Sequence, residues 1–463
     1  MVSVFQPGNL PRRRTPLKEF PHGRAPAASS WPLECRRRPG GDDDRERDLP
    51  RPAGSRGRPG RSEGDAADLG RGWHRHPDGG ADDRRTGSGL PALGGIFAYI
   101  LEAFGPLPAF LYGWAELTVI RAAAIGGISL VFATYLGEFF PLDDRQERWV
   151  ASGVILMIAL LNYLGVGLAS LLMNVTTILK YGAMLGLGLF AFTVGGGTVA
   201  NFVTPSPAAT VTLSTMLTAL VPIMWTYDGW SNLSFIGGEV KEPGRNLPRA
   251  LILGTVAIVA IYLFVNAAYL YMIPAAEMAT IQRVASETAS RIALFGGAGA
   301  AIISGVVMIS CFGSVNGSVM TGPRIFFAMS EQKLIFPVIA RVSPRFQTPS
   351  VAIWLTAALG VTYVMQNSFA ELADRFVLGS WPFYAMAVAG VFVLRKRSPD
   401  VERPYRTLGY PLTPAIFLLA SLGMVANALL SNPAQNGVTF GIILVGVPVY
   451  FVWRRFGGQG GAR

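Results

Sequence analysis

From residue 105 onward the sequence is a nearly unbroken series of ten apolar segments, centred near residues 122, 159, 187, 226, 262, 309, 358, 385, 421 and 446. A helix needs about 20 mostly apolar residues to cross the hydrocarbon core of a bilayer. No water is present there, so every backbone N–H and C=O has to be bonded within the segment, and helices are the form such segments take. The expectation is an all-α integral membrane protein with ten transmembrane helices over residues 94–463. A mean hydropathy of +0.37 and a charged fraction of only 15% fit that class.

The polar breaks sort by charge, which sets orientation because Lys and Arg accumulate on the cytoplasmic side. One alternate set holds "GPRIFFAMSEQKLIFPVIARVSPRF", "LRKRSPDVERPYR", "KEPGRNLPR" and the C-terminal "RRFGGQGGAR", all basic. The other holds "GEFFPLDDRQERW", "QNSFAELADR" and "SNPAQNG", none with a positive excess. The C-terminus is therefore expected in the cytoplasm, with the chain multi-pass in the cell inner membrane and the lipid bilayer as its surroundings.

Several classes drop out. Cys35 and Cys311 offer neither a disulfide framework nor a metal cluster, and no GxxxxGK[ST] phosphate loop is present. No metal or cofactor is expected. The N-terminus carries no apolar run like a signal peptide. The net charge of +11 divides between the polar first 90 residues and the body, and Asp42 to Asp44 and Asp82 to Asp83 interrupt the basic runs. A nucleic-acid partner is not expected.

The fourth segment contains "WTYDGWSNLSFIGGEVKEPGRNLPRAL", Trp225 to Leu251, in which Asp228 stands beside Gly229 in mid-span. Pro222, Gly229, Gly237 and Gly238 crowd the same stretch. Breaking a helix in hydrocarbon frees backbone groups that need other partners, and secondary transporters use such discontinuous helices to hold substrate near the midplane. An intramembrane acid costs about 2.5–3.5 kcal/mol on insertion scales, so Asp228 is expected to face a cavity or a partner. It could equally cap the second half-helix by accepting from the N–H of Trp230 or Ser231. Trp225, Tyr227 and Trp230 flank the break, either as packing aromatics or as a lid.

"YDGWSNLSFIGGEVKEPGRNLPRAL" resembles the sixth-helix region of amino acid permeases of the amino acid–polyamine–organocation superfamily, in the L-type (LAT-like) branch. "GGIFAYILEAFGPLPAFLYGWAELTVIRAAAIGGISLVFA" resembles that family's third helix, "ISCFGSVNGSVMTGPRIFFAMSEQKLIFP" its eighth, and "FYAMAVAGVFVLRKRSPDVERPYRTLGYPLTPAIFLL" its tenth and eleventh. The resemblance covers about residues 94 to 455. It implies a LeuT-type inverted-repeat fold, a secondary-active permease rather than an enzyme, and alternating access by symport or exchange. The partners implied are an amino acid substrate with protons or a counter-transported amino acid. On this numbering the ten segments are family helices three to twelve. The backbone at Tyr227 to Gly229 would meet the substrate amino group, with Trp225 beside it, and Asp228 would read the side chain.

Other charges sit inside the spans. Arg121 and Glu116 are five residues apart, an offset imperfect for direct contact on an α-helix. Each is therefore expected to find a partner on another helix, in a gating or coupling role. Lys180 lies near the start of its segment, where snorkelling to the interface is the simple reading. The resemblance implies instead that Lys180 stands where sodium-coupled relatives hold an ion. In "CFGSVNGSVMTG", Gly313, Ser314, Gly317 and Ser318 permit close helix packing. Asn316 in the same stretch is counted with the substrate-binding residues, packing being its alternative.

Residues 1–93 match nothing of the family's first two helices. They are polar, with a composition that suits a disordered segment. A shifted reading frame is the other reading. Back-translating "GDDDRERDL", Gly41 to Leu49, and moving one base permits Ala-Thr-Met-Ile-Val-Ser-Gly-Ile-Phe, which resembles the family's first helix. "GADDRRTG", Gly80 to Gly87, permits Ala-Leu-Thr-Thr-Ala-Glu-Leu-Gly, which resembles the end of its second. Without a first helix the permease is expected to be defective as written. The alternative is a non-transporting membrane sensor or remnant with a cytosolic arm.

Overall fold

The computed structural model describes residues 95–203, 211–235, 240, 242–401, 403 and 407–457. The chain divides into two units, Met1–Pro77 and Asp78–Arg463, and all described residues belong to the second. Among them there is helix and no strand. The expectations for residues 1–93 and for Gly237 and Gly238 fall outside the described residues.

The helices in chain order are α1 (Ile96–Phe104), α2 (Pro106–Ala115), α3 (Arg121–Leu136), α4 (Asp144–Leu164), α5 (Val166–Val194), α6 (Leu213–Thr226), α7 (Asn232–Phe235), α8 (Pro243–Met272), α9 (Ala275–Met278), α10 (Val284–Ser290), α11 (Gly299–Thr321), α12 (Pro323–Glu331), α13 (Ser350–Gln366), α14 (Phe369–Arg397), α15 (Leu412–Ser431) and α16 (Pro433–Gly457). All ten apolar segments fall on helices. Eight are long and apolar enough to cross a membrane, whereas α6 and α13 are apolar but shorter.

Local chemistry explains several boundaries. Gly105, at φ +89°, ends α1 in a conformation open to glycine, and Pro106 starts α2, where its missing N–H costs nothing. Asp143 begins α4 by accepting from the Gln146 N–H at 2.7 Å, while the Gln146 side chain accepts from the Asp143 N–H, a reciprocal cap. Ser368 and Glu371 repeat the device at α14.

Between α2 and α3 the helix widens into a π-helical turn over Glu116–Ile120, without interrupting the continuous span Pro106–Leu136. This span is the central column. α3 packs against α11, α13, α4 and α14, and it can because Ala122, Ala123, Ala124, Gly126 and Gly127 keep its surface flat. A Cβ on Gly126 would lie 3.1 Å from Leu372, and one on Gly127 would lie 2.9 Å from Trp225. The α5–α11 contact follows the same rule, since a Cβ on Gly313 would strike Thr176.

Candidate functional site

α6 ends at Thr226, as the glycine pattern requires, and the chain leaves helical geometry through Gly229 at φ +109° before the short α7. The freed Thr226 carbonyl accepts from the Tyr262 hydroxyl of α8 at 3.0 Å. Here a neighbouring helix supplies what the broken helix cannot. Tyr227 packs edge-on against the same Tyr262, with ring centres 5.0 Å apart.

The break opens on a cavity of about 860 Å³. Trp225, Tyr227, Asp228 and Gly229 line it, together with Arg121 from α3, Lys180 from α5, Ser314 and Thr321 from α11, and Trp381 from α14. Six of the eight site residues expected from sequence thus line one cavity. Glu116 and Asn316 are not among the lining residues.

Asp228 accepts from the Tyr384 hydroxyl at 3.0 Å, and the Ser231 hydroxyl lies 3.3 Å from the same Tyr384 oxygen. The Gly229 N–H is also directed at the carboxylate. Its side-chain anchor is therefore another span, not the N–H of Trp230 or Ser231. Trp230 meets Tyr384 edge-on at 5.3 Å, and Trp225 is held between Phe369 and Phe376. Both aromatics thus have packing partners, and both line the cavity as well.

The expectation for Glu116 and Arg121 is corrected. They bond to each other directly, Arg121 Nη2 and Nε lying 3.0 and 3.2 Å from Glu116 Oε2. The reason is the π-helical turn: its i→i+5 repeat brings residues five apart onto one face, which an α-helix does not. Tyr112 donates to the other carboxylate oxygen at 2.9 Å, and Arg121 Nη1 approaches the Thr321 hydroxyl at 3.4 Å. Both charges are nearly fully buried, so Glu116 neutralises and holds a guanidinium that faces the cavity.

Lys180 is also placed differently from the simple reading. It sits midway along α5 rather than near its start, and its Nζ donates to Ser314 of α11 at 3.1 Å. It ties two helices at the cavity wall. Asn316 is fully buried and accepts from Asn162 of α4 at 2.8 Å. That bond joins α4 to α11, the packing alternative for this residue.

Sequence reading missed Tyr384, Ser231, Tyr112 and Trp381. A signal existed for two of them: "GSWPFYAM" puts Pro382 and three aromatics in mid-span, the same kind of irregularity that marked Pro222 and Asp228. Tyr112 offered a third, standing four residues before Glu116, a spacing that puts both on one helix face. Trp381 lines the cavity with a buried indole N–H that has no partner among the described residues.

Comparison with known proteins identifies the family. The sequence model of a family described as "Amino acid permease" matches residues 86–453. The chain is 30% identical over 375 residues to the serine/threonine exchanger SteT of Bacillus subtilis (strain 168), covering 81% of this chain and 84% of that protein. It is 31% identical over 375 residues to the human cystine/glutamate transporter, covering 79% of this chain and 73% of that protein. It is 28% identical over 381 residues to the mouse b(0,+)-type amino acid transporter 1, covering 80% and 77% respectively. The broken span over a cavity, the helical spans and these matches lead to one conclusion: the chain belongs to the amino acid permease family, as a multi-pass, secondary-active amino acid transporter and not an enzyme.

Proposed function

We propose that the cavity at the α6 break is the amino acid site of an alternating-access exchanger. The observation that carries this is the broken span itself: the unwound backbone of Tyr227–Gly229 and the anchored Asp228 carboxylate stand together in the cavity wall. Unwound carbonyls and half-helix ends suit an ammonium group, and a fixed carboxylate nearby suits reading the side chain. Trp225 and Tyr227 provide apolar walls. Exchange, rather than flux driven by an ion, is supported by the likeness to SteT, a serine/threonine exchanger. Lys180 fills the α5–α11 contact with a tethered positive charge, so an amino acid returning the other way resets the cycle. Arg121, fixed by Glu116, holds the opposite wall and takes part in gating.

In this reading the chain resides in the cell inner membrane with its C-terminus in the cytoplasm, following the basic breaks. Residues 1–93 are a frameshifted segment replacing family helices one and two, and residues 94–463 are the transporter domain. On the frameshift reading the chain is transport-defective as written, because the shifted sequence would not supply the first helix that the family places beside the sixth-helix break.

The test is uptake into proteoliposomes by a chain whose first 93 codons have been returned to the family frame. Saturable amino acid uptake is expected, with Asp228→Ala abolishing or strongly reducing it. Unchanged kinetics in Asp228→Ala would remove that residue from the site. Full activity of the chain as written would remove the frameshift.

A further inference from the structure

The connection from α8 to α11 is folded rather than a plain loop. Arg291 bonds Glu277 and Glu287, which joins α9 to α10. Ser286 of α10 meets Ser304 of α11 at 2.9 Å. This folded connection reaches the far corner of the central column. Arg283 Nη2 lies 3.2 Å from Glu138, and Arg283 Nη1 donates to the Thr134 carbonyl at 3.2 Å. The Tyr135 side chain reaches the backbone of Ala285. The Arg283–Glu138 pair is about three-quarters shielded from solvent.

The cavity lies toward the other end. Its lining comes from residues 121–128 of α3, 173–184 of α5, 250–262 of α8 and 313–321 of α11. Farther along the same helices toward the Arg283 corner comes a separate apolar cluster that includes Leu187, Ala191, Ala268, Met272 and Ile303, closed over by Ala289 and Ile292. Cavity, apolar plug and ionic tie thus follow one another along shared helices. By the charge of the breaks, the tied corner is the exterior end.

We propose that Arg283 is the outer latch of the transport cycle, a positioning residue that holds the α9–α10 connection down on the Thr134–Glu138 corner and keeps the exterior route to the cavity shut. When the latch opens, α9–α10 lifts and carries Ala289 and Ile292 off the plug, so the two ends exchange access. The tie suits the task because it is built of one ion pair and one hydrogen bond to an end-of-helix carbonyl. These can break and re-form without rebuilding a core. The proposal rests on the transporter reading of the cavity, but its test requires no flux.

Cys311 reports the barrier. It is buried on α11 between Ile303 of the plug and Ser314 of the cavity. In the full chain carrying Cys35→Ser, a membrane-impermeant maleimide is applied from the exterior of oriented vesicles, and labelling of Cys311 is timed. The expected result is slow labelling in the parent, a rise of roughly five-fold or more in Arg283→Ala, and a smaller rise in Glu138→Gln, which keeps the bond to Thr134. Labelling from the cytoplasmic side stays unchanged. Equal rates in all three chains overturn the latch, as does an equal rise from both sides, which means general loosening. Glu138→Gln removes only one charge, so it keeps the test decisive if Arg283→Ala misfolds. Ser314→Cys in a Cys311→Ser background checks the assigned orientation: exterior labelling of that variant in the parent fold overturns it, whereas absent amino acid uptake by the frame-restored chain together with a normal latch response overturns only the cavity reading.

Discussion

Two spans of this protein are similar in apolarity and opposite in position. In Pro106–Leu136, 72% of the most apolar window is buried inside the protein; in Gly244–Met272, the more apolar of the two, 6% is buried. Apolarity therefore decides that a segment enters the membrane but not where it stands there, since lipid tails are as apolar as leucine. The inner column owes its place to small residues and to a charge pair that needs protein around it. α8 presents Leu253, Val256 and Leu263 outward and touches the cavity through only one side.

The largest test of that contrast is the buried pair. Replacing Glu116 by Leu strands the Arg121 guanidinium, which should cost about 3–5 kcal/mol and show as lost monodisperse protein or a sharply lower melting temperature in detergent. The double variant Glu116→Leu with Arg121→Met should recover most of that loss. A single variant as stable as the parent would mean the pair does not hold the column.

Glycines give a test in which the two spans should differ in sign. Gly127→Val pushes against Trp225 and should destabilise by about 1–3 kcal/mol, with Trp225 displaced into the cavity. A Cβ on Gly254 of α8 meets nothing within 4 Å, so Gly254→Ala should gain up to about 1 kcal/mol from helix propensity. Thermal melting of both variants decides it. Equal shifts would erase the distinction between inner and outer spans.

The smallest effect lies outside the spans. Arg291 beside Glu277 holds that carboxyl below the usual carboxylate range. A depressed folded pKa means the pair stabilises the fold above the unfolded value and ceases to do so as pH falls through the folded one. Glu277→Gln should therefore remove a slight loss of melting temperature on the acid side of about pH 4.5, with neutral pH little affected because the pair is open to solvent. A melting profile of unchanged acid slope would show that the pair contributes nothing even there.

Much of the site was legible before any coordinates. Asp228, Gly229 and Pro222 announced a broken helix because each violates what hydrocarbon tolerates, and the break is present. The Glu116–Arg121 pair was not legible, because an offset of five is unfavourable until a π-helical turn is known. Lys180 was placed near an end because Asn174, Thr176 and Thr177 just before it read as a polar boundary, whereas the helix begins at Val166. Asn316 sat among small residues that face both the cavity and α4, and periodicity does not choose between two apolar neighbours.

By itself the sequence determined that this chain spans a membrane in helices, that one helix breaks around an acid, and which permease family it resembles. The first two follow from the cost of exposing backbone and charge to hydrocarbon, which is local, and the third rests on the motifs themselves. The tertiary structure decided which span is central, that Tyr384 anchors Asp228, that Glu116 holds Arg121, and that Arg283 closes a corner 149 residues distant in sequence. Those depend on how helices already equal in apolarity pack against one another, and packing is set by shape between segments rather than by composition within them.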